Sequence, residues 1–147
     1  MVPFTPKVYI SGALTGVPNV EELKQFYEAV ADLCTDTGYD PYLPHQHSDP
    51  IADPNMTPAD VDRLDRDKVT GSDLVLLYAD VASFGVGIEL EIANEAFRPV
   101  VVFHTAGKKV SRLLLGNPAV KLVITFTDFE NALVVLRKVL NQRYELP

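Results

Sequence analysis

The segment Ser83–Glu91 (Ser-Phe-Gly-Val-Gly-Ile-Glu-Leu-Glu) combines residue types that a small-molecule site requires. It follows the apolar run Asp73–Tyr78, which predicts a buried strand, and leads into Ile88–Phe97, which has helical spacing. Two glycines at such a strand-to-helix turn would bring a ligand close to backbone N–H groups. Glu89 would lie in the first helical turn, where the helix dipole favours the ionised carboxylate. The alternative is a glycine turn that only packs a helix onto a sheet.

The other elements alternate in type along the chain. Strands are predicted at Lys7–Ile10, Tyr39–Leu43, Asp73–Tyr78, Pro99–Phe103 and Leu122–Phe126, with Pro41 marking the second as an edge candidate. Helices are predicted from Val20 to near Gly38, from the Thr57 cap to Gly71, over Ile88–Phe97, over the short Lys109–Leu115, and from the Asp128 cap to about Gln142. This order predicts one α/β domain over residues 1–147, with a five-stranded, mostly parallel sheet flanked by helices.

Ligands of parallel α/β sheets bind beyond the carboxyl ends of the strands. In the predicted sheet that edge gathers Ser11–Gly16, Asp80–Glu89 and His104–Ser111. The glycine segment therefore lies where a binding site is expected.

Composition and charge narrow the function classes. The net charge of −7 over 147 residues argues against polymeric nucleic acid, which requires a basic surface, but allows a single nucleotide. The chain has no apolar run of membrane-spanning length and no basic-then-apolar leader, so neither membrane insertion nor secretion is expected. The single cysteine, Cys34, is expected to be a buried thiol and fits a cytoplasmic protein.

The segment Pro44–Pro58 is rich in proline and polar residues, which is typical of a lid, a binding loop or an interface arm. His45 and His47, with Asp49 nearby, could be interpreted as a metal site. A third or fourth ligand at convincing spacing is missing, so we expect no metal. Base or sugar contacts from this loop, with His45 among them, are preferred.

Four segments resemble the nucleoside 2-deoxyribosyltransferase family, which includes the 2′-deoxynucleoside 5′-phosphate N-hydrolases. They are Val8–Leu14 (Val-Tyr-Ile-Ser-Gly-Ala-Leu), Asp65, Ser83–Leu90 and Val110–Leu113. The Gly-Val-Gly-x-Glu-Leu element, spaced as it is from Asp65, is the specific part. The resemblance runs from Val8 to about Asn117.

This resemblance implies a flavodoxin-like fold and a homodimer or higher oligomer whose subunits share their active sites. It places the nucleophile at Glu89, a tyrosine contacting it at Tyr9, and the aspartate near the base at Asp65, with Asp67 as the alternative. In the N-hydrolases two serines hold a 5′-phosphate, and these positions fall on Ser83 and, from the neighbouring chain, Ser111.

One position departs from the N-hydrolase pattern. Ala13 stands where those enzymes carry a first-loop phosphate serine, whereas the plain transferases typically have an acidic residue in place of Ser83. The chain thus lies between the two patterns. The expected substrate-binding residues are Ser11, Gly12, Ala13, His45, Ser83, Gly85, Gly87 and Ser111.

Each assignment has a simpler alternative. Tyr9 could be an ordinary strand aromatic, and the mixed charges around Asp65 could make a solvated helix face. Ser83 and Ser111 could only cap helices.

The predicted function is cleavage of the N-glycosidic bond of 2′-deoxynucleosides through a covalent glycosyl–Glu89 intermediate, with transfer of deoxyribose to another base. The alternative is an N-hydrolase of nucleoside 5′-monophosphates. A second alternative is a catalytically silent nucleotide-binding sensor. The expected partners are a nucleoside or nucleotide and a free base, and the chemistry requires no cofactor.

Overall fold

Five parallel strands form one sheet in the computed structural model, which describes residues 3–48 and 53–143. The strands are β1 (Lys7–Ser11), β2 (Asp40–Tyr42), β3 (Leu74–Tyr78), β4 (Val100–Thr105) and β5 (Val120–Phe126). Their order is β2-β1-β3-β4-β5, and all four pairings are parallel. This is the flavodoxin-like strand order. The predicted fold class is confirmed, with a sheet that is wholly parallel in its described pairs.

Helices cover both faces of the sheet. They are α1 (Val20–Asp36), α2 (Pro58–Thr70), α3 (Phe84–Glu95), α4 (Arg112–Leu115) and α5 (Phe129–Asn141). The first and last pack on one face, and α2 and α3 pack on the other. No helix within residues 3–48 and 53–143 has the length and apolarity that a membrane span requires.

Strand alternation divides the interior into two cores. In β1, Val8 and Ile10 face the α1/α5 core, whereas Tyr9 faces the α2/α3 core. All five residues of β3 are buried, as expected for a central parallel strand covered on both sides. The α2/α3 side therefore receives the polar ends of Tyr9 and Ser11.

The ends of several elements follow the predicted local signals. Thr57 caps α2 through a capping box, since its Oγ1 accepts from the Asp60 N–H (3.1 Å) and its N–H donates to the Asp60 carboxylate (3.2 Å). The strand that contains Pro41 lies at the edge of the sheet, as predicted.

Two predicted helix starts are wrong. Helix α3 begins at Phe84 rather than Ile88, because Ser83 caps it and the two glycines are already helical. Helix α4 covers only Arg112–Leu115 of the predicted Lys109–Leu115.

The proline-rich segment is partly regular. Pro44–Gln46 forms a 3₁₀ turn, and Pro58 opens α2. Residues 49–52, which include Asp49 of the considered metal site, lie outside the described residues.

Candidate active site

The Glu89 carboxylate is held inside the protein by two hydroxyl groups of β1. The Tyr9 O–H donates a hydrogen bond to Glu89 Oε2, and the Ser11 Oγ–H donates to Oε1 over 3.1 Å. Because residues two apart in a strand share a face, β1 presents both hydroxyls to the same helix. Glu89 is only 9% exposed. The structure thus brings together three residues that the sequence analysis selected.

The electrostatic setting of Glu89 differs from the prediction. Glu89 is the sixth residue of α3 rather than a first-turn residue, and the helix dipole weakens beyond the first turn. Burial raises its pKa to about 7, the hydrogen bonds from Tyr9 and Ser11 oppose this rise, and the charge of Asp65 adds to it. The expectation that the dipole keeps this carboxylate ionised is therefore wrong, because desolvation dominates.

Asp65 stands apart from the charged residues around it. Its neighbours form solvated pairs, Arg63 with Asp60 and Arg66 with Asp62 at 3.2 Å. Asp65 itself is half-buried, and burial, followed by the charge of Asp62, raises the pKa of its carboxyl group.

The Asp65 Oδ1 atom is buried and accepts no hydrogen bond from the described residues. It lies one helical turn before the fully buried Val69, so it is on the inward side of α2. Asp67, the alternative position for the aspartate near the base, is exposed. This placement favours Asp65.

Tyr42, at the end of β2, belongs to this cluster and was not selected from the sequence. It pairs in register with Tyr9, and the two rings stack with centroids 5.6 Å apart and an interplanar angle of 22°. Burial raises the pKa of Tyr42 to about 12, and the charges of Asp65 and Glu89 add to this effect. The signal available in the sequence was its place near the carboxyl end of the predicted second strand.

The first loop is shaped by Tyr27 of α1. The Tyr27 hydroxyl donates to the Ala13 carbonyl oxygen over 3.0 Å. A Cβ at Gly12 would come within 2.5 Å of Tyr27 ring and hydroxyl atoms, so the glycine is required by this packing. Ala13 is 1% exposed, so its methyl group faces the protein interior. Sequence reasoning missed Tyr27.

Ser83 and Ser111 line one open groove of about 870 Å³ between α3 and the segment that carries α4. Both serines cap helices, as the simpler alternative proposed: Ser83 Oγ accepts from the Val86 N–H and Ser111 Oγ from the Leu114 N–H, each over 3.4 Å. Lys109 and Arg112 also line the groove.

The groove and Glu89 lie on different sides of α3. Val86, Gly87 and Leu90 face the groove, whereas the Glu89 side chain points to β1. Within a single chain, the two serines and the carboxylate therefore do not face one common space.

Contacts with the rest of the described residues do not require the two glycines of α3. Outside the helix backbone, a Cβ at Gly87 would meet no described atom within 4 Å, and one at Gly85 would be 3.8 Å from Ser83 Oγ, an ordinary contact. The Gly87 N–H donates to the Ser83 carbonyl oxygen over 3.2 Å, so it is not free for a ligand. Open space beside Gly87 belongs to the groove.

The two histidines of the proline-rich segment have different partners. His45 is buried, with Nε2 3.1 Å from Glu28 Oε1, and its ring lies 6.4 Å from that of Tyr27. His47 stacks on Tyr42 with centroids 4.6 Å apart. Among residues 3–48 and 53–143, no group of three or more His, Cys, Asp or Glu side chains is arranged to hold a metal ion.

The fold and the cluster around Glu89 define a flavodoxin-like α/β domain with a buried carboxylate near the carboxyl edge of its sheet. Solved structures share this fold. A CMP N-glycosidase from Clostridium botulinum superposes with a TM-score of 0.69 and 17% identity, covering 88% of this chain and 96% of its own. A 2-deoxyribosyltransferase from Bacillus psychrosaccharolyticus gives a TM-score of 0.57 and 17% identity, covering 86% and 89%.

A conserved protein from Enterococcus faecalis gives a TM-score of 0.71 and 19% identity, covering 95% of this chain and 99% of its own. By sequence, no protein-family model matches the chain. No curated protein matches it either. At these identities the likeness establishes the fold, and at that level it agrees with the resemblance found in the sequence.

Proposed function

We propose that this protein is a member of the nucleoside 2-deoxyribosyltransferase family and transfers the 2-deoxyribosyl group of a nucleoside to another base. The observation that carries the proposal is the Glu89 carboxylate, which is buried and oriented by hydroxyl donors. The charge of Asp65, whose buried Oδ1 accepts no hydrogen bond from the described residues, raises the pKa of Glu89. Two carboxyl groups in different environments are the means by which glycosidic bonds are cleaved with covalent catalysis. The solved transferase and N-glycosidase structures with the same fold support this choice.

The proposed first step forms a glycosyl ester. A Glu89 carboxylate oxygen attacks C1′, the C1′–N bond breaks with its electrons moving to the base, and protonated Asp65 gives its proton to the departing base. In the second step a nitrogen of the incoming base attacks C1′, the ester bond breaks, and Asp65 takes the proton of that nitrogen. Glu89 returns to its carboxylate form, and no net proton is gained or lost.

The raised pKa values of both carboxyl groups suit these roles. Glu89, with a pKa of about 7, is substantially ionised at neutral pH, and Asp65 has its pKa shifted toward the protonated form that an acid requires. Tyr9 and Ser11 hold the Glu89 rotamer in the free enzyme.

A second candidate is hydrolysis of nucleoside 5′-monophosphates by the same covalent chemistry, with water replacing the incoming base. The groove lined by Ser83, Ser111, Lys109 and Arg112 favours it, because hydroxyls and cations bind phosphate. The burial of Ala13 and the turn of Glu89 away from this groove favour the transferase.

We also propose that the active sites are shared in a homo-oligomer. Phe84 is 96% exposed at the start of α3, and Leu113, at the groove, is 88% exposed. Large apolar side chains beside an open groove are typical of an interaction surface. A second chain bound there would bring its own residues to the groove.

The test is to incubate the protein with 2′-deoxyinosine, with and without adenine, and separately with deoxynucleoside monophosphates. Formation of deoxyadenosine only when adenine is present supports transfer. Release of base from monophosphates alone would establish the second candidate instead.

Glu89→Ala separates catalysis from binding. We expect it to abolish turnover while nucleoside binding persists, and trapping of a glycosyl ester on the wild type by mass spectrometry would identify the residue. Glu95→Ala is the matched control, since Glu95 is an exposed residue of the same helix and does not line the groove. A wild type that binds nucleotides but releases no base would indicate a sensor.

A further inference from the structure

Tyr42 carries a buried hydroxyl that has no hydrogen-bond partner among the described residues. Its ring stacks on the rings of Tyr9, at 5.6 Å, and of His47, at 4.6 Å, and Lys68 Nζ lies 5.4 Å from the ring centroid. A buried polar atom without a partner destabilises a fold by about 1–3 kcal/mol. Buried polar groups of folded proteins nearly always have a partner, so this hydroxyl calls for an explanation, and a bound ligand would supply one.

The second unpartnered atom in the same cluster is Asp65 Oδ1. Tyr42 and Asp65 are close enough that the charge of Asp65 raises the pKa of the Tyr42 hydroxyl, and the charge of Glu89 does the same. The Tyr42 hydroxyl is therefore a donor at neutral pH. Protonated Asp65, the form that the proposed first step uses, is a donor as well.

We propose that Tyr42 determines base specificity by donating a hydrogen bond to a carbonyl oxygen of the nucleobase while Asp65 donates to the adjacent ring nitrogen. This inference rests on the proposed function for its substrate class. Two donors match the N7 and O6 acceptors of a 6-oxopurine, whereas adenine presents an amino donor in place of O6. The Tyr42 hydroxyl then stabilises the charge that develops on the departing base. The preferred donors are 6-oxopurine deoxynucleosides.

Tyr42→Phe tests this inference because it removes the hydroxyl and keeps the stacked ring. We expect kcat/KM for 2′-deoxyinosine to fall on the order of a hundredfold, as for loss of one preorganised donor, and kcat/KM for 2′-deoxyadenosine to change by less than about threefold. An equal change for both substrates would overturn the inference while leaving the proposed function standing.

The free energy of unfolding of Tyr42→Phe distinguishes the proposed role of the hydroxyl from a purely structural one. Because the Tyr42 hydroxyl has no described partner, Tyr42→Phe should leave the free energy of unfolding unchanged or raised. Tyr39→Phe is the matched control: its hydroxyl donates to the Leu140 carbonyl oxygen over 2.8 Å, so this variant should be destabilised with its base preference unchanged. A clear loss of stability in Tyr42→Phe would assign the hydroxyl to the fold and overturn the inference.

Calorimetric binding to Glu89→Gln separates the two proposals without turnover. We expect this variant to bind deoxyinosine more tightly than deoxyadenosine, and Glu89→Gln/Tyr42→Phe to lose the difference. If the wild type releases no base but this pattern holds, the proposed function fails and the specificity inference stands. If Glu89→Gln binds neither nucleoside, the specificity inference fails, and transfer by the wild type alone decides the proposed function.

Discussion

The Tyr9 hydroxyl donates a hydrogen bond to the carboxylate of Glu89, which lies 80 residues further along the chain. This contact joins the first strand to the third helix within the α2/α3 core. It lowers the pKa of the Glu89 carboxyl group, which burial nevertheless raises to about 7. This net pKa determines how activity and stability should depend on pH.

The pH dependence of the proposed reaction follows from that pKa. Since Glu89 acts as a carboxylate and Asp65 as an acid, kcat/KM should rise with pH as Glu89 ionises, with a midpoint near 7, and fall again where Asp65 loses its proton. Tyr9→Phe removes a hydrogen bond that stabilises the ionised form, so its midpoint should move to higher pH. Steady-state rates between pH 5 and 9 provide the measurement. Ser11→Ala should shift the midpoint in the same direction, and a midpoint unmoved in both variants would contradict the prediction.

Glu89→Gln should be more stable than the wild type at pH 8. Glu89 in the unfolded chain loses its proton near pH 4.5, whereas the folded protein keeps it until about pH 7. The folded state therefore binds more protons in this window, and the stability of the wild type falls as pH rises through it, by on the order of 3 kcal/mol. Glutamine does not titrate and should still accept from Tyr9.

Urea unfolding of both proteins at pH 4, 6 and 8 measures this difference. The gap in free energy of unfolding should be smallest at pH 4 and widest at pH 8. A gap that is constant with pH would mean that burial does not perturb this carboxyl group.

Gly12→Ala should be destabilising for a steric reason. Its Cβ would lie 2.5 Å from the Tyr27 ring and hydroxyl atoms, and overpacking of this kind costs about 1–3 kcal/mol. Tyr27→Ala removes the ring and hydroxyl atoms that the new methyl would meet, so the double variant should lose less stability than the sum of the single changes. Denaturant unfolding of the four proteins measures the coupling, and strict additivity would argue against the clash.

Gly87→Ala should stabilise the fold and impair function. Glycine within a helix is less stable than alanine by about 0.5–1 kcal/mol, and outside its own helix backbone the new methyl would meet no atom of the described residues within 4 Å. It would, however, project beside the groove, where substrate or a second chain is proposed to bind. Thermal unfolding and transfer rates together provide the test. A more stable variant with full activity would show that neither uses this space.

Phe84→Ser/Leu113→Ser should weaken self-association. Both side chains are almost fully exposed in the single chain, so polar replacements should not reduce its stability. Light scattering after size exclusion should show the wild type as a dimer or larger and the double variant shifted toward monomer. Val134→Ser, a change at an exposed apolar residue of α5, serves as the control. A monomeric wild type would contradict the proposed shared site.

The sequence alone determined the order of elements and most of their limits. Alternating apolar strands and amphipathic helices leave few arrangements other than a parallel α/β sheet. Local signals such as Thr57 with Asp60 set the start of a helix without contributions from distant residues. The same alternation predicts that the site lies at the carboxyl edge of the sheet. Ser11 and Glu89 were placed at that edge, the family resemblance selected Tyr9, and the three side chains do meet in space.

Only the tertiary structure decided the chemistry of these groups. The position of Glu89 suggested a dipole effect, but its pKa depends on burial, which no local pattern reports. By residue type and spacing, Asp65 does not differ from its charged neighbours. The packing of α2 places it on the inward side of the helix, where its Oδ1 is buried.

The sequence analysis missed Tyr42 and Tyr27 for a related reason. Each comes from an element distant in sequence and reaches the cluster through strand pairing or helix packing, as Tyr42 does beside Tyr9. A contact of this kind depends on how strands pair and how helices pack. The residues next to it in the chain do not determine this arrangement.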